Sequence, residues 1–357
     1  MTRTRMLLGF LLATLFLYLF LRNVDPAELW TAVKKGNPYW LLLSGFLAFL
    51  NYFVRAVRWR FFLDPIKKTS LKNLTTTTII GFAVSTIFPA KIGEVVRPYL
   101  LASKENISKS AAMATVVLER VFDSASILFF LVIYLVILVR PNQLSPQAQS
   151  SLSELNRAGI ILFVGILGLI LFLYYLKTKP VVVRKWIVKL ERHLPARIAH
   201  SLDDILDSFI QGLSILHDLR TLWKIAYYSI FFWMLICAGV WAGIRAYVPD
   251  FHFFGTFLIV PLLAIGIAVP TPGGIGSYHY ACQLGLTRFF SVSDNDAAAI
   301  ALVSHALTFI PITIVGVILL WREGLNAVKI QKMTQNQPEI IPEDLPADAT
   351  SDGSKVE

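Results

Sequence analysis

Charged residues are scarce in this sequence of 357 residues: Asp, Glu, Lys and Arg make up 16% of the chain, whereas 55% of it is hydrophobic. Soluble domains carry about 25% charged residues, so this composition excludes an ordinary soluble protein and indicates a polytopic membrane protein. The net charge of +10 would suggest a nucleic-acid partner in a soluble chain. Here the basic residues cluster at the ends of apolar runs, so we expect them to meet lipid headgroups and predict no nucleic-acid partner.

Cysteine is nearly absent as well, because the only two, Cys237 and Cys282, both fall in apolar segments. Such cysteines are expected to be small packing residues rather than a disulfide or metal ligands. Three motifs of enzymes are missing too, namely Gly-x-Ser-x-Gly, His-Glu-x-x-His and Gly-x-x-x-x-Gly-Lys. We therefore predict no metal and no cofactor, and we expect a protein that is not an enzyme.

Apolar runs long enough to cross a bilayer predict an all-α polytopic membrane protein with about six full transmembrane helices. The predicted spans cover residues 6–21, 39–63, 110–139, 158–176, 222–248 and 296–321. The first run follows basic residues as a signal peptide would, but no small-x-small cleavage site follows Leu21, so we expect an uncleaved span. Residues 1–330 are assigned to one integral membrane domain, and the polar, acidic segment 331–357 to a disordered cytoplasmic tail.

The distribution of basic residues predicts the orientation. Segments 55–72, 177–220 and 322–332 are rich in Lys and Arg, and all three face the cytoplasm if both termini do. The exceptions to this positive-inside pattern are Arg22, Lys34 and Lys35. Within the longest basic segment, apolar residues recur at helical spacing over about 197–217, which predicts an amphipathic helix at the cytoplasmic interface.

Two further apolar runs end in proline and glycine and predict broken or re-entrant hairpins. The first hairpin, about 75–101, breaks between Pro89 and Gly93 and returns as a polar helix with Glu94 and Arg97 on one face. The second, about 254–290, breaks at residues that repeat the Pro-x-x-Ile-Gly pattern of the first: Pro272, Gly273, Gly274, Ile275 and Gly276. Paired segments of this kind indicate a transporter binding site. The simpler alternative is two ordinary loops between ordinary spans.

The count of spans gives the two hairpins opposite orientations. If both are re-entrant, the first enters the membrane from the cytoplasm and the second from outside. If each instead crosses the membrane twice, the loops keep the same sides. Irregular backbone at membrane depth must line a cavity or be buried in protein, so either arrangement brings the breaks to a protected site.

Ionisable residues inside predicted spans are candidates for function, because an unpaired charge is expensive in lipid. Arg55 and Arg58 share a helix face with Asn51, whereas Arg60 falls at the end of the span. We expect Arg55 to face inward and Arg60 to anchor the helix at the interface. The alternative for the whole segment is interfacial anchoring, with Trp59 at the membrane surface.

A later span carries Glu119, Arg120 and Asp123, with the two carboxylates four residues apart on one helix face. An arginine partner is available from the first hairpin or from the second span, and Glu119 and Asp123 are in turn acidic partners for Arg97. A purely structural ion pair is the competing account.

These charged and glycine-rich motifs together resemble the lysylphosphatidylglycerol synthase/flippase transmembrane family. The motifs are Arg55-x-x-Arg58-Trp59, Pro89-x-Lys91-x-Gly93-Glu94-x-x-Arg97, Glu119-Arg120-x-x-Asp123 and Pro272-Gly-Gly-Ile-Gly276. The resemblance covers about residues 5–325. It implies transport of a phospholipid, such as an aminoacylated one, across the bacterial cytoplasmic (inner) membrane. In bifunctional members a separate soluble domain makes the lipid, and the chain has no room for one after its last span, so transport rather than synthesis is implied. One departure concerns His279, because many relatives carry Glu at that position.

Three functions are compatible with the sequence. The first is a lipid translocator in which arginines bind the headgroup phosphate in forked geometry, Arg97 foremost. In this function Glu94, Glu119 and Asp123 either balance those arginines or meet a cationic headgroup. The second is an intramembrane enzyme acting on lipid phosphate or a lipid-linked sugar, with acid and base groups from Glu119, Asp123, His279 and His305. The third is an accessory subunit of a lipid-modifying synthase.

We favour the translocator, with membrane lipids as partners, a synthase as a further candidate partner, and a homo-oligomer left open. The candidate substrate-binding residues are Arg55, Arg58, Lys91, Glu94, Arg97, Glu119, Arg120, Asp123, His279 and His305. The structural residues of the hairpin breaks are Pro89, Gly93, Pro272, Gly273, Gly274 and Gly276.

Overall fold

A computed structural model describes residues 3–88, 91–138 and 219–325, together with scattered helical positions between 157 and 175. These residues form helices and turns without strands, as the sequence predicts. The helices are α1 (Arg3–Leu21), α2 (Pro26–Lys34), α3 (Pro38–Leu63), α4 (Leu71–Ile87), α5 (Gly93–Glu105), α6 (Lys109–Ile133), α7 (Leu219–Arg245), α8 (Thr256–Ala268), α9 (Ser277–Phe290) and α10 (Asp294–Arg322). The predicted amphipathic helix at 197–217, the tail at 331–357 and Pro89 lie outside the described residues.

Within the described residues, four helices are long and apolar enough to cross a membrane: α3, α6, α7 and α10. A fifth span results if the bent pair of α1 and α2, whose axes differ by 84°, is counted as one. The four helices agree with four of the six predicted spans, and the first prediction, 6–21, becomes a fifth only if α1 and α2 are counted together. The remaining prediction, 158–176, falls where only scattered positions are described, so the described residues support four or five spans and the count of six stays a prediction.

Helix α2 was missed in the sequence, although its start follows simple capping rules. The Asp25 carboxylate accepts hydrogen bonds from the backbone N–H groups of Ala27 and Glu28, and Pro26 occupies the first helical position. The basic residue Lys34 lies in the last turn, where it complements the helix dipole. The exceptions to the positive-inside pattern, Arg22, Lys34 and Lys35, therefore flank or belong to the short helix α2 rather than a plain loop.

The first hairpin is built by α4 and α5, which pack against each other along glycine-mediated contacts. A Cβ added at Gly93 would overlap the carbonyl oxygen of Gly81, and one added at Gly81 would lie 2.7 Å from the Cβ of Arg97. Between the helices, Lys91 has a φ of 52° in the left-handed region, which L-residues other than Asn and Asp rarely adopt. The close approach of the two helices therefore depends on Gly93.

The second hairpin is built by α8 and α9, joined by a short 3₁₀ turn (Pro272–Gly274). Gly273, Gly274 and Gly276 have φ values of 58°, 71° and 82°, so this turn uses glycine for its backbone angles. A Cβ at Gly276 would also lie 2.6 Å from the carbonyl oxygen of Ala13 on α1. The second break is thus fixed both by conformation and by the neighbouring helix.

The ends of the two hairpins meet inside the protein. A Cβ added at Gly273 would lie 3.1 Å from the carbonyl oxygen of Thr86, at the end of α4. The carbonyl oxygen of Gly273 also lies 2.8 Å from Nε2 of His305 on α10. Helix α10 in turn packs on α4 through Gly316, whose close neighbour is Ala83. Both breaks are therefore held in one place, next to the charged residues described below.

Candidate functional site: a charged cavity between the two hairpins

Six charged side chains from three helices form one largely buried group, here called the charge cluster. Helix α3 contributes Arg55 and Arg58, α5 contributes Arg97, and α6 contributes Glu119, Arg120 and Asp123. Their positions fit the sequence prediction that the carboxylates of α6 find arginine partners on the second span and on the first hairpin. The interfacial-anchor interpretation of Arg55, Arg58 and Trp59 is wrong, because all three are buried. Arg60 is exposed, as expected.

Glu119 lies at the centre of the charge cluster and has no exposed surface. Its Oε1 is 2.8 Å from Nη1 of Arg55, and its Oε2 is 2.9 Å from Nη2 of Arg97. Nη2 of Arg58 and Nη2 of Arg120 each lie 3.0 Å from Oε1. The single negative charge of Glu119 therefore neutralises only part of the positive charge of these four guanidinium groups.

Asp123 lies one helical turn away and repeats the pattern. Its Oδ1 accepts from Nη1 of Arg58 at 2.7 Å and from the indole N–H of Trp233 on α7 at 3.0 Å. Its Oδ2 lies 3.3 Å from Nη2 of Arg120 and 3.8 Å from Nη1 of Arg55. Both carboxylates of α6 are thus already engaged by arginines of the protein.

Aromatic rings complete the surroundings of the arginines. The guanidinium of Arg97 stacks over Trp59 at 3.7 Å, and the Trp59 indole donates to the Thr115 hydroxyl. Phe232 on α7 lies 4.5 Å from Arg55 and 4.4 Å from Arg58. Phe232 and Trp233 were not predicted as site residues, because nothing in an apolar, aromatic-rich span marks the residues that face distant charges. Trp233, for example, contacts a carboxylate 110 positions earlier in the chain.

The charge cluster is open on one side, where Arg120 and Glu94 lie. Their side chains are 38% and 40% exposed, and Nη1 of Arg120 is 3.7 Å from Oε1 of Glu94. Lys91, half-buried, completes this edge. Among the described residues, five cationic side chains face three carboxylates at this site, a formal surplus of two positive charges.

A cavity of about 350 Å³ adjoins the charge cluster and extends between the two hairpins. Its charged wall comes from α3, α6 and the first hairpin and consists of Arg55, Lys91, Glu94, Arg97, Arg120 and Asp123. The wall formed by α7, α10 and the second hairpin is uncharged, with apolar side chains and the hydroxyl groups of Thr271, Ser304 and Thr308. The cavity therefore has one cationic and one mainly apolar side.

Several nitrogens of the arginines have no hydrogen-bond partner among the described residues. They include Nε of Arg97 and Nε of Arg120, both buried, while the arginines themselves line the cavity. Oδ1 of Asn51, which also lines the cavity, is likewise buried and unpaired. Buried polar atoms are normally hydrogen-bonded, so these atoms indicate space for a polar ligand or water.

Four of the sequence-predicted site residues lie away from the cavity surface. Arg58 and Glu119 are fully buried behind it. His279 and His305 form a separate pair with ring centroids 4.5 Å apart. Nδ1 of His279 accepts from the backbone N–H of Gly276 at 3.3 Å, and His305 contacts the Gly273 carbonyl. The two histidines therefore lie directly behind the second break.

Fold and site define a class: a multi-pass helical membrane protein in which two broken helix pairs enclose a charged cavity. The sequence matches the family model described as the lysylphosphatidylglycerol synthase TM region over residues 6–316. The chain belongs to this family, and the resemblance found in its motifs is confirmed.

Several curated proteins are similar over most of the chain. A UPF0104 membrane protein of Methanocaldococcus jannaschii is 22% identical over 86% of this chain and 92% of its own length. A UPF0104 membrane protein of Methanothermobacter thermautotrophicus is 22% identical over 82% of this chain and 88% of its own. The glycosyltransferase AglD of Haloferax volcanii is also 22% identical, over 88% of this chain but 53% of its own length.

Proposed function

We propose that this protein moves a phospholipid, or another lipid with an anionic headgroup, between the leaflets of its membrane. The observation that carries the proposal is the divided cavity, with arginines on one wall and apolar side chains on the opposite walls. A phospholipid has the same two parts, an anionic phosphate and apolar acyl chains. Guanidinium groups match phosphate oxygens in forked, charge-assisted hydrogen bonds.

Within this proposal the arginines divide into two groups. Arg58 is fully buried and engaged with both carboxylates of α6, so it holds the charge cluster together. Arg120 lies at the open edge and is partly exposed, so it is the residue best suited to bind the incoming phosphate. Arg97 lines the cavity too, with a free Nε beside its contacts to Glu119.

The meeting of the two breaks suggests how the headgroup would pass. Hairpins that enter from opposite sides of the membrane each close the cavity toward one side, and their ends meet at Thr86 and Gly273. Movement of one hairpin away from the cavity would open the side that this hairpin closes, while the other hairpin keeps the opposite side closed. This arrangement keeps the irregular backbone lined by protein, as the absence of water in lipid requires.

The test is translocation by the purified protein in liposomes, using fluorescent phospholipids whose outer-leaflet fraction is quenched by an impermeant reductant. Arg120→Ala should lower the rate by about tenfold or more, since a hydrogen bond to a charged group contributes about 1.5–3 kcal/mol. Arg60→Ala is the matched control, because Arg60 is exposed and lies outside the cavity. The control should move lipid at the wild-type rate.

Failure of the wild-type protein to move any lipid above empty liposomes would contradict the proposal and favour an accessory role. In that case the protein should co-purify with a lipid-modifying synthase.

The orientation is tested separately with Ser145→Cys and Ser214→Cys in a background lacking native cysteines. An impermeant reagent added to intact cells should label the first and spare the second, if both termini are cytoplasmic.

An intramembrane enzyme is the alternative, and one similar protein bears the name glycosyltransferase, although the chain matches only 53% of it. The acid–base groups that such an enzyme would need are occupied. Glu119 and Asp123 are engaged by arginines, and the histidines contact backbone groups of the second break. Product formation from labelled lipid, measured in the same liposomes, would reveal the enzyme.

A further inference from the structure

The charges around the cavity allow an inference about the headgroup itself. We propose that the lipid bound here carries a net negative headgroup and that an aminoacylated, cationic headgroup is disfavoured. This inference rests on the proposed function and specifies its substrate class. It follows from the balance of charges in the charge cluster and from the way each carboxylate is already used.

The first step is the surplus of positive charge. Five cationic side chains, of which Lys91 and Arg120 reach the open edge, stand against three carboxylates. Three of these cations, Arg55, Arg58 and Arg97, are buried beside only two buried carboxylates. A buried charge without a counter-charge is expensive, so an anion best completes the site and its overall surplus of two. A phosphate monoester carries about −1.5 to −2 charge at neutral pH and matches this surplus best, followed by a phosphodiester.

The second step is the engagement of the carboxylates. Glu119 is surrounded by four guanidinium groups. Oδ1 of Asp123 accepts a hydrogen bond from Arg58, and Oδ2 lies 3.3 Å from Arg120 without accepting a hydrogen bond. Glu94 is the most exposed of the three, but it lies 3.7 Å from Arg120. An ammonium group approaching any of these acids would therefore come beside at least one guanidinium, and like charges at such distances repel.

The third step is the character of the remaining wall. The second hairpin and α10 contribute hydroxyl groups, backbone and apolar side chains to the described part of the cavity, and no charged side chain. Hydroxyl groups of Thr271 and Ser304 can bind phosphate or glycerol oxygens as donors. This wall therefore suits the neutral part of a headgroup, and it offers an aminoacyl ammonium no carboxylate.

The experiment compares four labelled lipids in liposomes containing the purified protein: phosphatidic acid, phosphatidylglycerol, phosphatidylcholine and lysylphosphatidylglycerol. The expected rates fall in that order, with phosphatidylglycerol moved about tenfold faster than its lysyl ester, a difference of about 1.4 kcal/mol. In Arg120→Gln this ratio should shrink, while Arg60→Gln should keep it. Equal or faster movement of the lysyl lipid would overturn the inference and leave translocation itself intact.

A binding measurement separates the two proposals if no lipid moves. The detergent-solubilised protein is incubated with an equimolar mixture of the same four lipids, and the retained lipids are quantified by mass spectrometry. Enrichment of the two anionic lipids over the lysyl lipid would support the inference even if translocation fails. Equal retention, or enrichment of the lysyl lipid, would overturn it.

Discussion

The two hairpins share a plan but differ in chemistry. Each places an apolar helix before a break that ends in glycine, and the two breaks meet at Thr86 and Gly273. The first hairpin carries Lys91 and Arg97 to the cavity, whereas the second contributes only uncharged groups to it. Under the proposed function, the first hairpin would contribute charged side chains that bind a headgroup, and the second would contribute an uncharged surface.

The hairpins also use glycine for different physical reasons. Gly93 has helical geometry, and it is required because α4 and α5 approach too closely for a side chain. Gly276 instead has a φ of 82°, which costs an L-residue about 1–2 kcal/mol or more. The first hairpin is therefore limited by space and the second by backbone conformation, although Gly276 also touches α1.

The largest effect is expected from removing the negative charge of Glu119 on α6, which pairs with Arg97 of the first hairpin. Glu119→Gln leaves four guanidinium groups with one carboxylate fewer at the centre of the charge cluster. Breaking such a buried network typically costs about 3–5 kcal/mol, so we expect loss of folded protein or a strongly lowered melting temperature in detergent.

The half-exposed Glu94 provides the control for this change. Glu94→Gln should lower the free energy of unfolding by no more than about 1 kcal/mol, because exposed ion pairs contribute little. Its melting temperature in detergent should therefore stay close to that of the wild type. Equal stability of the Glu119→Gln and Glu94→Gln proteins would show that the charge cluster does not hold the helices together.

A smaller but still severe effect is expected at the glycine contact. Gly93→Ala places a Cβ on the carbonyl oxygen of Gly81, so α4 and α5 must move apart, and we expect both lower thermal stability and lost translocation. Gly45→Ala is the matched control, because its new Cβ would meet Leu307 at an ordinary 3.7 Å. Gly276→Leu should also fail, through backbone strain and the contact with Ala13. Normal expression and transport by both the Gly93→Ala and the Gly276→Leu proteins would contradict the broken-hairpin interpretation.

The smallest effect is expected at the tip of the first hairpin. Lys91 has a left-handed backbone, so Lys91→Gly should relieve strain of about 1 kcal/mol while removing one positive charge from the cavity. We expect a melting temperature equal to or above that of the wild type, together with a slower rate for anionic lipids. An unchanged rate would restrict headgroup binding to the arginines.

The sequence predicted what depends on local rules. Proline and glycine spacing located both breaks, and the charges at Arg55, Arg97 and Glu119 were recognised as partners because an unpaired charge in a span is costly. Helix α2 could have been predicted from Asp25 and Pro26, which are ordinary helix-start signals.

The remaining features depend on tertiary packing and leave no local signal. Trp59 sits in a sequence typical of an interfacial anchor, yet it is buried beneath Arg97. Trp233 reaches Asp123 from a span whose apolar pattern marks no special face. The contact between the breaks, through Thr86 and Gly273, joins residues that are far apart in sequence. These pairings determine which arginines line the cavity and which only support it.

The central claim is that headgroups pass through the cavity between the hairpins, and cysteine protection tests it most directly. Ser124→Cys places a thiol on the cavity wall, and Ala125→Cys places one next to it outside the cavity, in a background where Cys237 and Cys282 are alanine. We predict that a bulky polar thiol reagent stops translocation by the Ser124→Cys protein alone, and that excess anionic lipid slows its reaction. Full translocation after complete modification of Ser124→Cys would contradict the account.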